Sequence, residues 1–185
     1  EKSETNELNA ELAIYKNFLL SMTGFKSNIF DQVEYKNNQY VNHSSATDLN
    51  QSGIETSASW MGENFKLTFF GTSLSSKKID GSDQLRRPEK TYGIKYKQKI
   101  FNNLIGPFEF NLKYHHYGNH WDTHSSNYST ILMDSTNLVD LSLTKKMNSY
   151  NFKLNLNNIF NEIYQRPHGY MQPNRKIFLG FSKSY

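Results

Sequence analysis

The 185-residue sequence has no cysteine, only four prolines, and no uninterrupted run of the ~18 apolar residues that a transmembrane helix needs. The missing cysteines exclude disulfides, thiolate metal sites and cysteine nucleophiles, and they leave the cellular compartment open. The sequence begins at Glu1 without a charged and then apolar leader. We therefore expect that any signal peptide is absent or already removed.

Apolar residues are also scarce, since the mean hydropathy is −0.74. Aromatic residues nevertheless make up 15% of the chain, which argues against disorder because disordered chains are poor in aromatics. The net charge of +4 is spread along the chain rather than clustered. Scattered lysines do not form the basic patch that is typical of nucleic-acid-binding proteins, so we expect no nucleic-acid partner. The length suits a single domain.

Alternation of apolar and polar side chains with a period of two dominates the chain and predicts β-strands. The clearest case is 150–157, which reads Tyr-Asn-Phe-Lys-Leu-Asn-Leu-Asn. Near the start, Leu8 and Leu12 would also suit a helix, but the short turn at Lys16-Asn17 favours a strand. Counting all such segments, we predict an all-β fold of about nine antiparallel strands.

The connections between these segments alternate in length. Short turns are expected near 16–17, 62–64, 102–107 and 148–149, and longer polar loops near 36–48, 80–88, 122–132 and 165–173. Strands of about 10–15 residues exceed the globular average of about 5–6. Together with repeated Lys, Glu and Asn on the polar face, this is typical of a transmembrane β-barrel, and a soluble β-sandwich is the alternative. Aromatic residues near strand ends fit an interfacial girdle; they are Tyr15, Trp60, Tyr114, Tyr150 and Tyr164.

The alternation assigns side chains to two faces of the predicted sheet. The lipid-facing, convex side should carry Phe65, Phe110, Leu112, Leu141, Phe152, Leu154 and Leu179. The concave side should carry Glu55, Lys66, Lys95, Asn111, Lys113, Asn155 and Ser182. The lysines of this side would line a hydrated lumen, or they could steer an anionic substrate.

The odd number of predicted strands indicates whether these residues could form a closed barrel. Closed bacterial single-chain barrels have an even number of strands. With the short turns in the periplasm, the last strand would end there and Glu1 would lie outside the cell. We therefore expect the chain to be the C-terminal piece of a larger barrel.

Four segments of the chain stand out, in this order: Ser52-Gly53-Ile54-Glu55, Arg86-Arg87-Pro88, Asn158-Ile159-Phe160-Asn161-Glu162-Ile163-Tyr164 and Gly169-Tyr170-Met171-Gln172-Pro173-Asn174-Arg175. In this order they resemble motifs of TonB-dependent outer-membrane receptors. Asn174 stands where the family has its second glycine, and Asn tolerates the left-handed backbone that such a turn uses.

The resemblance implies a 22-stranded barrel with an N-terminal plug, of which residues 1–185 would supply about the last nine strands without the plug. It implies an outer-membrane location and transport driven by the TonB complex, which would act through the missing N-terminal part. Outer-membrane lipid and the barrel-assembly machinery would be further partners. The alternating residues of the last strand are similar to the signal that this machinery recognises; they are Ile177, Leu179, Phe181 and Tyr185.

Within this family the chain is most similar to the vitamin B12 type, because the segment between Tyr164 and Arg175 is short and the other outward loops are compact. Compact loops leave a wide mouth for a corrinoid. A ferric siderophore receptor and a passive porin are the alternatives. Rigid aromatic and polar loop side chains are the candidate ligand contacts; they are Tyr40, His43, Trp121, Tyr128, Arg166 and Tyr170.

Catalytic and metal sites receive little support from the sequence. Metal binding by His115, His116, His120 and His124 is conceivable, but the first two point to opposite faces of a strand and a solvated loop tip is favoured. His124-Ser125-Ser126 lacks a nucleophile elbow, so an outer-membrane hydrolase is disfavoured. We therefore predict a receptor without a catalytic site, metal or cofactor.

Overall fold

The computed structural model describes residues 1–31, 33–36, 39–42, 49–78, 81–102, 104 and 106–183. These residues form β-strands and no helix, so within them no helix is long and apolar enough to cross a membrane. The strands are β1 (Lys2–Tyr15), β2 (Phe18–Phe30), β3 (Val33–Lys36), β4 (Gln39–Asn42), β5 (Leu49–Met61), β6 (Phe65–Lys78), β7 (Lys90–Ile100), β8 (Phe108–Tyr117), β9 (His120–Thr123), β10 (Thr130–Met133), β11 (Thr136–Met147), β12 (Tyr150–Asn157) and β13 (Lys176–Lys183).

Nine of these strands form one sheet in the order β1-β2-β5-β6-β7-β8-β11-β12-β13. Every neighbouring pair is antiparallel, which confirms the predicted nine-stranded antiparallel sheet and the assignment of the first segment to a strand. Seven of the nine have 10–14 residues, whereas β12 and β13 have eight and are shorter than expected.

The two ends of the sheet differ. Short turns of two to seven residues join β1 to β2, β5 to β6, β7 to β8 and β11 to β12 at one end. The longer connections lie at the opposite end, as predicted. Two of them are not plain loops, because β3–β4 and β9–β10 form separate two-stranded hairpins within them. Strand residues in these short hairpins carry too little periodicity to be recognised in the sequence.

The register confirms the predicted separation of the two faces. Phe110, Leu143, Leu154 and Leu179 are directly paired across β8, β11, β12 and β13 and form one apolar row. Lys153 is the chain neighbour of Leu154 and pairs with Gly180, so it lies on the opposite face. The predicted polar residues Lys66, Lys95, Asn111, Lys113 and Asn155 line one common groove on that second face.

The sheet is a single layer with almost no hydrophobic core. Among the described residues, Leu49 is the buried hydrophobic side chain, with 2% of its surface exposed. The accessible surface is 12991 Å², whereas a globular protein of 21.6 kDa exposes about 9,200 Å². A soluble β-sandwich would cover one face of each sheet, so this structure excludes that alternative. The apolar face has no second layer from the described residues.

Candidate functional site

Three of the long connections meet at one buried carboxylate. Oδ1 of Asp122, in β9, accepts hydrogen bonds from Arg86 Nε and from the backbone N–H of Thr123, both at 2.7 Å. Oδ2 accepts the backbone N–H of His168, also at 2.7 Å. The Asp122 side chain has no exposed surface. We call Arg86, Asp122 and His168 the three-loop junction, because they come from 81–89, the β9–β10 hairpin and 158–175.

The junction is electrostatically satisfied. Burial alone would raise the pKa of the Asp122 carboxyl, but the hydrogen bond from Arg86 and those from the backbone N–H groups of His168 and Thr123 outweigh it. The pKa is therefore held below its ordinary value. Asp122 remains a carboxylate at neutral pH and fixes the three connections relative to one another.

A second set of contacts joins the β9–β10 hairpin to 158–175. The backbone N–H of Ser125 donates to Nδ1 of His168 at 3.1 Å, and the His124 and His168 rings lie 4.4 Å apart. Gly169 has φ +85°, and a Cβ there would lie 2.6 Å from the Ser125 Cβ. Position 169 thus requires glycine for both its backbone conformation and its close contact.

The segment 158–175 is itself folded tightly by its asparagines. The Asn158 side chain accepts the N–H of Glu162 and donates to the carbonyl of Glu162, both at 2.8 Å. The backbone N–H of Asn158 donates to Asp140 Oδ1 at 2.9 Å, and that of Arg175 donates to Asn161 Oδ1 at 2.9 Å. Asn158 and Asn161 have φ +51° and +58°, a left-handed conformation that asparagine tolerates.

The structure also shows the surroundings of other residues in the four motif-like segments. A Cβ at Gly53 would lie 2.6 Å from the Ser73 carbonyl oxygen and 2.7 Å from the Phe25 ring. Burial raises the pKa of the Tyr164 hydroxyl. The backbone carbonyl of Tyr164 accepts a hydrogen bond from the backbone N–H of Gln172 at 2.9 Å. Phe160 is exposed. The remaining motif positions are Arg87, Pro88, Tyr170 and Pro173, which lie in the same two connections as Arg86 and His168.

The candidate ligand contacts are only partly brought together. Trp121 adjoins Asp122, and its carbonyl accepts the Arg86 N–H at 2.6 Å. Arg166 and Tyr170 flank His168 and are joined by a 3.0 Å backbone hydrogen bond. Tyr128, at the tip of the β9–β10 hairpin, and Tyr40, on the separate β3–β4 hairpin, are exposed. His43 lies outside the described residues.

Arg166 is the candidate that reaches the polar face of the sheet. Its guanidinium lies 3.9 Å from the centre of the Tyr117 ring, which stacks on His115 at 4.0 Å. Phe70 packs edge-on against His115 at 5.4 Å, and Lys95 Nζ lies 4.9 Å from the Phe70 ring centre. Cations and rings therefore form a continuous ladder from 158–175 to the middle of the sheet.

The histidines do not converge. His116 lies on the face opposite to His115 and stacks on Tyr92 at 4.4 Å, as the alternation predicts. The expectation of a solvated loop tip is wrong for His120, which is buried in β9 beside Gln84 and Arg87 of the preceding long connection. Among the residues that the structure describes, no group of three or more His, Asp or Glu side chains is placed to hold a metal ion.

The last strand presents its alternating residues as predicted. Ile177, Leu179 and Phe181 share one face of β13 and are strongly exposed, with Leu179 at 83%. Tyr185, the remaining residue of the proposed assembly signal, lies outside the described residues. Recognition by the assembly machinery stays a prediction.

A groove of about 460 Å³ runs along the polar face. It is lined by lysines from β6, β7 and β8, together with amide and hydroxyl side chains. The lysines are Lys66, Lys95, Lys97 and Lys113, and the neutral polar residues are Ser59, Thr68, Asn111, Ser142, Asn155 and Asn157.

Comparison with solved structures identifies the fold. The chain aligns over 97% of its length with the FrpB iron transporter from Neisseria meningitidis (F3-3 variant), covering 30% of that chain at 15% identity and a TM-score of 0.75. The ferric yersiniabactin uptake receptor FyuA from Yersinia pestis aligns with 96% of this chain, which covers 28% of the receptor at 18% identity and a TM-score of 0.74. The ferripyoverdine receptor of the outer membrane of Pseudomonas aeruginosa aligns with 97% of this chain, which covers 27% of the receptor at 14% identity and a TM-score of 0.75.

The fold is that of a TonB-dependent receptor barrel. These neighbours are outer-membrane transport receptors and not enzymes, and the chain spans less than a third of the length of each. The predicted all-β barrel fold is confirmed, whereas the vitamin B12 type is not. No family model and no curated protein matches the sequence.

Sequence reasoning missed Asp122, the residue on which the junction depends. It lies 36 residues from Arg86 and 46 from His168, so no local spacing links the three. One signal was present, namely an isolated carboxylate within a hairpin that follows an arginine-rich motif.

Phe70 was missed as well, because the apolar alternation stops at Phe69 and Phe70 falls on the polar face with Gly93 and His115.

Proposed function

We propose that the chain is the C-terminal wall of an outer-membrane receptor that takes up a ferric siderophore. The observation that carries the proposal is the nine-stranded sheet itself, with an exposed apolar face, short turns at one end and long connections tied together at the other. An apolar face of this extent needs a lipid covering. The iron substrates named for the neighbouring structures support an iron chelate as cargo.

The three-loop junction fits this function. A receptor must present its loops in a fixed arrangement to bind a ligand with specificity, and loops held by a rigid scaffold are the usual location of such contacts. The buried Asp122 carboxylate joins the hairpin that carries Trp121 to the segment that carries Arg166 and Tyr170. We propose these three as ligand contacts, together with Tyr40, His43 and Tyr128.

A corrinoid is the second candidate substrate. The observation that favours it is the compactness of 158–175, which is folded on itself by hydrogen bonds from the side chains of Asn158 and Gln172. The neighbours described above are named for iron substrates, so they give the corrinoid no support. Outer-membrane lipid, the TonB complex and the assembly machinery are the proposed partners.

Uptake by cells that produce the complete protein tests the proposal. A strain lacking the protein should lose accumulation of one radiolabelled ferric siderophore from a panel, and the complete gene should restore it. Accumulation should stop when a protonophore collapses the proton gradient. Saturable uptake of cyanocobalamin instead would favour the corrinoid, whereas uptake that is unaffected by the protonophore would indicate a passive porin.

A further inference from the structure

Two lysines and three serines form a polar patch on the apolar face, at the end of the sheet where the long connections lie. Lys26 of β2 is paired directly with Ser52 of β5, and Ser52 is paired with Ser75 of β6. Ser73, two residues from Ser75 on the same face, is paired with Lys90 of β7. All five residues are exposed. We call them the outer lysine–serine patch.

The patch lies on the outside of the expected barrel. Phe69 is four residues before Ser73 on β6, so the two share a face, and Phe69 is paired with Ile94. Ile94 is in turn paired with Tyr114, which shares its face of β8 with Phe110 of the apolar row. The strands that carry the patch stand between β1 and β8 in the sheet. The other strands of a complete barrel would therefore not cover the patch, and a plug would lie on the opposite face.

The height of the patch along the strands corresponds to the surface of the membrane. Trp60, near the end of β5 with the short turn, is eight residues from Ser52 on the same face. At about 3.4 Å per residue and a tilt of about 40°, eight residues rise about 21 Å, close to the ~25 Å height of the apolar band of an outer-membrane barrel. Tyr92, which is 47% exposed, lies two residues from Lys90 on the same face. Aromatic side chains mark the border between hydrocarbon and headgroups, so Lys26 and Lys90 lie at headgroup level.

The two lysines carry charge that the described part of the chain does not neutralise. Lys77, two residues beyond Ser75 on this face, forms an ion pair with Asp83. Within the ranges that the structure describes, no carboxylate forms such a pair with Lys26 or Lys90. The two lysines are three strands apart, or about 14 Å across the sheet, and the serine hydroxyls between them are further hydrogen-bond donors. Positive charge and donors thus form one continuous surface directly above apolar side chains.

We infer that the outer lysine–serine patch binds the phosphate groups of a lipid of the outer leaflet, whose acyl chains lie on the apolar side chains below it. Hydrogen bonds from an ammonium group to a phosphate oxygen are stronger than those between neutral groups, and hydroxyl donors can add to them. Continuity with the apolar surface favours a lipid over free phosphate, which would contact the patch alone. The inference depends on the outer-membrane location and not on the cargo. Siderophore uptake and lipid binding can therefore fail independently.

Native mass spectrometry of the complete protein in a neutral detergent, titrated with lipid A that carries two phosphates, tests the inference. The wild type should bind this lipid saturably. Lys26→Gln/Lys90→Gln should bind it at least about tenfold more weakly, whereas Lys26→Arg/Lys90→Arg keeps the charge and should stay within about threefold of the wild type. The matched control is Lys99→Gln/Lys153→Gln, which removes the same charge from the polar face. Its affinity should remain within about twofold.

Two further titrations of the wild type separate the competing explanations. Dephosphorylated lipid A should bind at least about tenfold more weakly, because it lacks the charge that the lysines recognise. Inorganic phosphate at the concentration of the lipid should not displace it. Displacement by phosphate would assign the patch to a soluble anion, equal binding of the two lipids would show that only the acyl chains are recognised, and an equal loss in the control variant would show a general attraction between charges. Each of these results would overturn the inference, as would the absence of saturable binding by the wild type.

Discussion

Arg86 and Asp122 form an ion pair between two connections that are 36 residues apart, with 2.7 Å between Arg86 Nε and Asp122 Oδ1. The arginine side chain is 58% exposed, whereas the carboxylate is completely buried. The pair therefore differs from an exposed ion pair, which contributes little to stability. Asp122 also accepts the backbone N–H of His168, so removal of this one side chain should release a third connection.

Asp122→Ala should loosen the three-loop junction. The backbone N–H of His168 and of Thr123 would lose their acceptor, which typically costs about 1–3 kcal/mol for a buried donor. Hydrogen exchange of the His168 amide should accelerate correspondingly. Asp134→Ala removes an exposed carboxylate close by and should leave this rate unchanged. Equal exchange in both variants would contradict the junction.

Acid should open the same junction. Because the pKa of Asp122 is lowered in the folded state, its stabilising contribution is complete above the ordinary value of 3.8 and is lost as the pH falls through the folded value. Trp121 adjoins this carboxylate, so the part of the tryptophan fluorescence that a Trp121→Phe variant lacks reports on it. We expect constant fluorescence between pH 7 and 5 and a transition below pH 3.8. A similar transition in Asp122→Asn would assign it to another group.

Gly169→Ala should separate 158–175 from the β9–β10 hairpin. The backbone conformation at φ +85° costs an alanine about 1–2 kcal/mol, and the contact with Ser125 adds about 1–3 kcal/mol. Gly106→Ala is the matched control, because Gly106 has φ +75° and no atom within 4 Å of the added Cβ. Hydrogen exchange of the Gln172 amide measures the local opening. The packing contribution would be refuted if each substitution cost its own segment the same free energy.

Leu154→Lys and Asn155→Lys place the same side chain on opposite faces of β12. The row of Leu143, Leu154 and Leu179 is the proposed lipid-facing surface, where a lysine near the bilayer centre costs about 2–4 kcal/mol. The Asn155 side lines the groove and should accept the charge. Unfolding by urea in lipid vesicles should reveal this difference. Equal stabilities would mean that the apolar face does not lie in lipid.

The strands were predictable because their determinants are local. A side chain on a strand alternates between faces at every residue, so the run from Tyr150 to Asn157 specifies both the strand and its two faces without reference to the rest of the chain. The same reasoning placed Lys153 and Leu154 on opposite sides. It failed at β9 and β10, whose four-residue strands are too short to carry a pattern.

The candidate site was predictable only in part. The resemblance to receptor motifs pointed to Arg86, Asn158 and Gly169, all of which have positive φ in the structure. They did not connect these residues to Asp122, and they gave His120 the wrong environment.

The sequence by itself determined the all-β architecture, the nine strands of the main sheet and its two chemically distinct faces, because each follows from a two-residue period. Only the tertiary structure decided which loops meet at Asp122 and which residues pair across neighbouring strands. Those relationships depend on the register between strands and on contacts across 36 and 46 residues. A register is a property of two strands together, and neither strand's own sequence contains it.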